Sequence, residues 1–195
     1  MGERHPMECR DEIICLGDSL TYGYPYGPTN SWVSYLARES GLRLLNAGVN
    51  GDTTLDMEKR FQRDVVERKL LAVVILGGTN DAFCSEITIV QTICAMETML
   101  REAINNDIQP IIGLPLPVVD EPSVSSKLDS ICAAYRDLSK RFELPLIDFV
   151  SPFIDPDTGN PNERLYIDEV HPNKLGYEVM GKTAVNFFKD YFGQR

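Results

Sequence analysis

The sequence predicts a three-layer α/β/α domain built around a five-stranded parallel sheet. Five short apolar runs alternate along the chain with longer segments of helical character, and this alternation is typical of βαβ units. The third run, residues 71–76, reads Leu-Ala-Val-Val-Ile-Leu, which is the pattern of a strand covered on both faces. Because parallel strands are joined by long crossovers that return over a sheet face, helices are expected on both sides of the sheet.

Each element is expected at a definite place in the chain. The predicted strands and then the predicted helices occupy, in order, residues 13–16, 43–46, 71–76, 110–114 and 144–149, and residues near 30–40, 54–69, 87–106, 124–142 and 173–191. Gly17 ends the first strand. Asn30-Ser31 and Asp52-Thr53-Thr54 contain residue types that cap helix N-termini, so helices are expected to begin there.

Length and charge limit the classes of protein to consider. The chain has 195 residues, the size of one domain with a single core, so we expect one domain over residues 1–195 with residues 1–10 as a flexible extension. Asp and Glu number 29 against 19 Lys and Arg, giving a net charge of −10. Such a charge repels nucleic-acid phosphates and anionic membrane surfaces, and neither is an expected partner.

Apolar and cysteine patterns predict a cytoplasmic location. No apolar run approaches the ~20 residues of a membrane span, and the first residues lack the apolar centre of a secretory signal. The five cysteines are odd in number and form no Cys-x-x-Cys pair, so neither a disulfide framework nor a zinc site is indicated. Free thiols are typical of the reducing cytosol, and a cytoplasmic location is therefore expected.

In open parallel sheets, ligands bind outside the carboxyl ends of the strands. The loops in which chemistry is expected are therefore those after the predicted strands: residues 17–28, 47–54, 77–85, 115–126 and 154–171.

His171 is the candidate general base. The chain has only two histidines, and the other, His5, lies in the expected N-terminal extension. Pro172 disfavours helical backbone at His171 and suits the first position of a following helix. Asp168 lies three residues earlier, close enough to accept a hydrogen bond from one ring nitrogen and fix the tautomer. Alone, this Asp-x-x-His pattern is also compatible with a polar surface loop.

Ser19 is the candidate nucleophile because it follows the first strand directly, in Gly17-Asp18-Ser19-Leu20. Its hydroxyl would lie where this type of fold places its ligand. The alternative is that Asp18 and Ser19 only cap the next turn. Thr21 replaces the second glycine of a Gly-x-Ser-x-Gly elbow, which disfavours an α/β-hydrolase.

Two further loops supply candidate donors for a developing oxyanion. Gly51 could present a backbone N–H and Asn80 a side-chain amide, each after a strand predicted to neighbour the first. Separately, Gly51 could only relieve turn strain, and Asn80 or Asp81 could only cap a helix.

Taken together, these four blocks resemble the SGNH or GDSL hydrolase family. The resemblance rests on residues 17–20, on Gly51 in an Asn-x-x-x-x-Gly-Asp-Thr setting, on residues 78–81 and on residues 168–172, and it extends from residue 17 to about residue 176. It implies a flavodoxin-like sheet. It also implies a role for each site residue: Ser19 as nucleophile, His171 as base, Asp168 as orienting acid, and the N–H groups of Ser19 and Gly51 with the Asn80 side chain as oxyanion hole.

The expected function is that of a serine esterase. It would hydrolyse carboxylic ester or thioester bonds of small acylated substrates through an acyl-enzyme, with a small-molecule acyl ester as its partner and without a cofactor or metal. Two alternatives remain open: an acyltransferase that uses the same site, and a non-catalytic domain that binds a ligand with the same loops.

The loops expected to select the substrate, residues 22–31 and 116–126, match no subfamily signature. Tyr22, Tyr24, Tyr26 and Trp32 could line an acyl or sugar pocket or could pack their own loop. The acyl length, the leaving group, the oligomeric state and a lid role for residues 115–126 are left open by the sequence.

Overall fold

The computed structural model describes residues 12–193, with the side chains of residues 12–191. The predicted flexible extension, residues 1–10, lies outside the described residues.

A five-stranded sheet forms the centre of the protein, and its strands pair in the order β2-β1-β3-β4-β5. All four pairings are parallel. The strands are β1 Glu12–Gly17, β2 Arg43–Gly48, β3 Ala72–Leu76, β4 Gln109–Gly113 and β5 Leu146–Ile147. This is the flavodoxin-like order, and the predicted fold class is confirmed.

Seven α-helices are present among the described residues: α1 Ser19–Tyr22, α2 Trp32–Ser40, α3 Thr54–Asp64, α4 Thr79–Phe83, α5 Ile89–Asn105, α6 Pro122–Phe142 and α7 Lys174–Gly193. Short 3₁₀ turns span Pro28–Asn30, Val66–Arg68, Ser151–Phe153 and Glu163–Leu165. The expected caps are present, because Ser31 accepts the N–H of Ser34 and Thr53 forms a capping box with Asp56.

Alternate side chains of the strands point into two separate cores, which makes the domain three-layered. On one face, strand residues such as Ile14, Val73 and Ile75 pack with α3, α5 and α6. On the other, residues such as Cys15 and Val74 pack with α2 and α7. Helices thus cover both faces of the sheet, as predicted.

The fifth strand is shorter than the predicted 144–149 because the residues on both sides of it cannot extend the ladder. Pro145 has no N–H to donate, although its carbonyl accepts the N–H of Ile112. After Ile147, the side chain of Asp148 accepts the N–H groups of Val150 and Ser151, which turns the chain away from the sheet.

The carboxyl ends of β1, β2 and β3 are level with one another. Gly17 pairs with Gly48 on one side and with Leu76 on the other, so the segments that follow these strands begin at one edge. A Cβ at Gly48 would lie 2.2 Å from the backbone nitrogen of Tyr22. Glycine at this position therefore allows α1 to lie directly on β2.

None of the helices within residues 12–193 combines the length and the apolar character that crossing a membrane requires.

Candidate active site

Ser19 is the first residue of α1, immediately after β1. Asp18 precedes it as the N-cap, and its Oδ1 accepts the N–H of Leu20 at 2.9 Å. The capping alternative is therefore correct for Asp18, whereas Ser19 makes a different contact. Ser19 is 7% exposed, and as the first residue of a helix its N–H has no intrahelical acceptor.

The Ser19 hydroxyl meets the imidazole of His171, which lies 152 residues further along the chain. The Oγ of Ser19 is 3.0 Å from Nε2 of His171. On the other side of the ring, Nδ1 donates to Asp168, with Oδ2 at 2.9 Å and Oδ1 at 3.1 Å. A carboxylate that accepts from Nδ1 leaves Nε2 as the acceptor of the serine proton. The structure thus brings together the three residues predicted as a triad.

Asp168 is held by its own turn. Its Oδ1 accepts the backbone N–H of Val170 at 2.8 Å and that of His171 at 2.6 Å. Partial burial raises the pKa of this carboxyl, but the two backbone hydrogen bonds and the contact with the His171 ring outweigh burial and hold its pKa below the ordinary value. Asp168 is therefore ionised at neutral pH, as an orienting acid must be.

The His171 loop is fixed at both ends. Its Tyr166 and Pro172 form a β-bridge, and the N–H of Ile167 donates to the His171 carbonyl at 2.9 Å. Pro172 does not begin the following helix as predicted. Instead, the Asn173 side chain accepts the N–H of Gly176, and α7 begins after it.

The predicted oxyanion donors lie at the same edge of the sheet. Gly51, at φ +85°, is exposed in the turn after β2, and its N–H forms no hydrogen bond within residues 12–193. Asn80 lies in the first turn of α4, after β3. Its Nδ2 donates to the Asp52 carbonyl at 2.9 Å, and its contact with Oδ2 of Asp18 is longer, at 3.5 Å.

The carboxyl group of Asp18, the residue before Ser19, lies near those of Asp52 and Asp81. Asp18 is fully buried, and this burial raises the pKa of its carboxyl to about 7 against the bond from the Leu20 N–H, with the charges of Asp81 and Asp52 adding to the rise. A buried acid with a strongly raised pKa therefore lies next to Ser19.

Asp81 does not cap its own helix, α4, but links it to α3 and α5. Its carboxylate accepts the backbone N–H of Thr54 at 2.9 Å and the hydroxyls of Thr54 and Thr92. These bonds connect the start of α3, the helix α4 and the helix α5. The capping alternative weighed for Asp81 is thus replaced by a contact across 27 residues, and Asn80 is positioned by this fixed helix.

Arg60 was not singled out by the sequence analysis, yet it supports the same region. From α3 its guanidinium donates to Asp52 at 2.7 Å, to Asp64 at 3.0 Å and to the carbonyl of Gly17 at 3.0 Å. The only local signal was the i,i+4 spacing of Arg60 and Asp64. The bonds to Asp52 and Gly17 depend on tertiary structure.

Asn46 and Lys127 are two further supporting residues that the sequence did not reveal. Asn46 donates from Nδ2 to the carbonyl of Thr21 at 2.7 Å and accepts the N–H of Gly48 at 2.9 Å, which ties α1 to β2. The Lys127 ammonium donates to three carbonyls that follow Asn80, at 2.6–2.7 Å. An asparagine inside a strand was a weak signal for the first residue, and the second gave none.

The candidate substrate loops differ in structure. Residues 122–126 of the second loop are the start of α6, and the residues before them are tied to the His171 loop, because the N–H of Val119 donates to the Glu169 carbonyl at 2.8 Å. Of the four loop aromatics, Trp32 is fully buried. The ring of Tyr24 is partly exposed and lies 4.6 Å from that of His171.

The chain matches known proteins in both sequence and fold. The sequence profile of the GDSL-like lipase/acylhydrolase family matches residues 15–179. The chain belongs to this family. The GDSL-family match includes all the site residues discussed above, and it confirms the resemblance seen in the sequence.

Three GDSL-family comparisons illustrate the relationship. The structure of a G-D-S-L family protein from Desulfitobacterium hafniense DCB-2 superimposes with a TM-score of 0.83 at 30% identity and covers 91% of this chain and 99% of its own. The uncharacterized lipoprotein YqeF of Bacillus subtilis is 28% identical over 89% of this chain and 85% of its own length. Thioesterase 1/protease 1/lysophospholipase L1 of Escherichia coli K12 is 24% identical over 84% and 76%, respectively. The protein is accordingly a hydrolase of the GDSL type.

Proposed function

We propose that the protein is a serine esterase that hydrolyses carboxylic ester or thioester bonds of small acylated substrates through an acyl-enzyme. The observation that carries this proposal is the continuous chain of hydrogen bonds from Asp168 through His171 to the Ser19 hydroxyl. A domain that only binds a ligand has no use for a serine paired with an oriented base.

Each residue has one task in the reaction. His171 takes the proton of Ser19 through Nε2 as Oγ attacks the carbonyl carbon, and the ionised Asp168 stabilises the imidazolium. The imidazolium then gives its proton to the leaving alcohol or thiol, which leaves the acyl group on Ser19. Water, deprotonated by His171 in turn, attacks this acyl group and releases the acid.

The oxyanion that forms in both steps is assigned to the N–H groups of Ser19 and Gly51 and to the Asn80 amide. The first two N–H groups have no acceptor in the described chain, and the long contact of Asn80 with Asp18 leaves that N–H available. A donor of this kind contributes roughly 3 to 4 kcal/mol of transition-state stabilisation.

Ser19→Ala tests the nucleophile directly. The variant is expected to lose hydrolysis of p-nitrophenyl butyrate at least 10³-fold, since no hydroxyl remains to form the acyl-enzyme. The control is Cys84→Ala, which removes a partly exposed thiol at the end of α4 and is expected to retain activity. Circular dichroism should show both variants folded, and full activity in Ser19→Ala would overturn the assignment.

Product analysis separates hydrolysis from acyl transfer. The esterase releases free acid from the ester in water alone, whereas an acyltransferase with the same triad needs an added alcohol acceptor. Release of acid without the acceptor supports the proposal. Turnover only with an acceptor would reassign the enzyme, and absence of both reactions would indicate a binding domain.

A further inference from the structure

Several exposed apolar side chains lie close in the chain to the candidate site residues. Among the described residues, eight large apolar side chains are substantially exposed: Tyr24, Val49, Leu71, Phe83, Val90, Ile104, Ile167 and Leu175. Four of them lie in the loops that carry the candidate site residues. We name this set, Tyr24, Val49, Phe83 and Ile167, the apolar rim.

Two members of the rim follow β1 and β2. Tyr24 follows Ser19 by five residues. The centroid of its ring is 4.6 Å from that of the His171 ring. Val49 precedes Gly51 by two residues, is 44% exposed, and is held to β1 because its N–H donates to the Gly17 carbonyl at 3.0 Å. Both side chains are thus fixed beside the base and beside an oxyanion donor.

The other two members come from the remaining site loops. Phe83 lies three residues after Asn80 on α4, so both residues share one side of the helix, and Phe83 is 43% exposed. Ile167 directly precedes Asp168, is 51% exposed, and is fixed by the bond from its N–H to the His171 carbonyl. The segments after β1, β2 and β3 begin at one edge of the sheet, and the His171 loop reaches Ser19 there, so the rim lies at the edge that carries the candidate nucleophile.

Exposed apolar groups gathered in this way mark a surface that an apolar ligand covers. The charge of the region decides between possible occupants. Glu169 follows Asp168 in the same loop as Ile167, Asp120 and Glu163 lie beside it, and the chain carries a net charge of −10. An anionic lipid surface is repelled by such charges, whereas a single uncharged hydrocarbon chain is not.

We propose that the apolar rim binds the hydrocarbon chain of the substrate's acyl group, and that the enzyme therefore prefers acyl chains of medium length to acetyl. This inference rests on the proposed esterase function and extends it to the substrate class. Val49, Phe83 and Ile167 are then specificity-determining residues that contact the acyl chain.

The test compares p-nitrophenyl octanoate, kept monomeric, with p-nitrophenyl acetate. The wild-type enzyme is expected to give a higher kcat/KM for octanoate. Val49→Ser and Ile167→Ser should each lower the octanoate-to-acetate ratio of kcat/KM about fivefold, and Phe83→Ser about tenfold, because each removes apolar surface that only the longer chain covers. Phe83→Leu, which keeps an apolar side chain, should restore most of the ratio.

Matched controls come from the same chain. Leu71→Ser and Ile104→Ser alter exposed apolar residues at the opposite edge of the sheet, before β3 and at the end of α5, and should leave the ratio at its wild-type value. An unchanged ratio in all three rim variants would overturn the proposal, as would an equal fall in the controls. Wild-type hydrolysis of neither ester would instead refute the proposed function, and the rim assignment with it.

Two other occupants of the rim would give different results. If it seats a second copy of the chain, wild-type protein sediments as a dimer and the rim variants as monomers. If it seats a membrane, the variants lose activity only on ester embedded in phosphatidylcholine vesicles. Either result, with the monomeric ester ratio unchanged, overturns the assignment to the acyl chain.

Discussion

Asp168 contributes to the site through its charge as well as its hydrogen bonds. Asp168→Asn keeps an oxygen that can accept the N–H groups of Val170 and His171, which now bond to Oδ1, so the turn should persist. The neutral amide neither selects the correct tautomer of the ring nor stabilises the imidazolium. We expect kcat to fall by roughly 10³- to 10⁴-fold.

Steady-state kinetics with p-nitrophenyl butyrate measure this fall, and KM should change little because Asp168 does not touch the substrate. A loss of less than tenfold in kcat would contradict the orienting role. Thermal unfolding of the variant close to that of the wild type excludes a folding defect as the cause.

Asp18 makes the stability of the protein depend on pH. The folded protein holds a proton on this buried carboxyl up to a pKa of about 7, whereas the ordinary value is 3.8. Between these values the folded state binds more protons than the unfolded state, so this group lowers the free energy of unfolding as pH rises. The loss is complete above the folded pKa and amounts to about 4 kcal/mol.

Asp18→Asn removes this loss, since its amide oxygen can still accept the Leu20 N–H and carries no charge. The unfolding free energy of the variant minus that of the wild type should increase from pH 4 to pH 8, as measured by urea denaturation. A difference that stays constant over this range would show that Asp18 is ionised throughout.

At the level of elements, the contact of α1 with β2 depends on the absence of a side chain at Gly48. Gly48→Ala would place a Cβ 2.2 Å from the backbone nitrogen of Tyr22, so the helix that carries Ser19 must shift. We expect destabilisation of about 3 kcal/mol or more together with reduced activity.

Gly41→Ala is the comparison for this variant. Gly41 has φ +71° and open space where a Cβ would lie, so alanine there should cost only about 1 kcal/mol. Chemical denaturation of both variants measures the difference. Equal losses would show that the close approach of α1 to β2 is unimportant.

The elements also show which parts of the fold a sequence can reveal. Long periodic segments such as α5 and the apolar strand β3 were predicted within a few residues, because burial of one face imposes a repeating pattern. The four-residue α1 and five-residue α4 were missed because they are too short to repeat a pattern. The N-cap of α4 is Gly78, which has no side chain to signal the start of the helix.

The candidate site shows the same division. Ser19, Asp168 and His171 could be predicted because each follows a recognisable local signal, and the structure brings their side chains into contact. The supports contributed by Arg60 and Lys127 could not be predicted, since their partners lie up to 46 residues away in the chain and only the folded chain brings them together.

At the level of the whole molecule, the net charge of −10 should influence which esters reach the site. An ester with an anionic leaving group is repelled at long range, and salt screens this repulsion. We expect kcat/KM for a sulfonated phenyl ester to rise several-fold from 10 mM to 300 mM NaCl, whereas a neutral phenyl ester should change little. A fall for the anionic ester would reveal a local cationic attraction.

His171 and Asp168 follow every strand in the chain, although Ser19 directly follows the first. A nascent polypeptide can therefore carry all five strands and still lack the imidazole that activates Ser19 in the proposed reaction. Under that proposal, partly synthesised copies are expected to be inert toward esters. In refolding, the return of turnover is then expected to report the docking of residues 166–172 rather than the formation of the core.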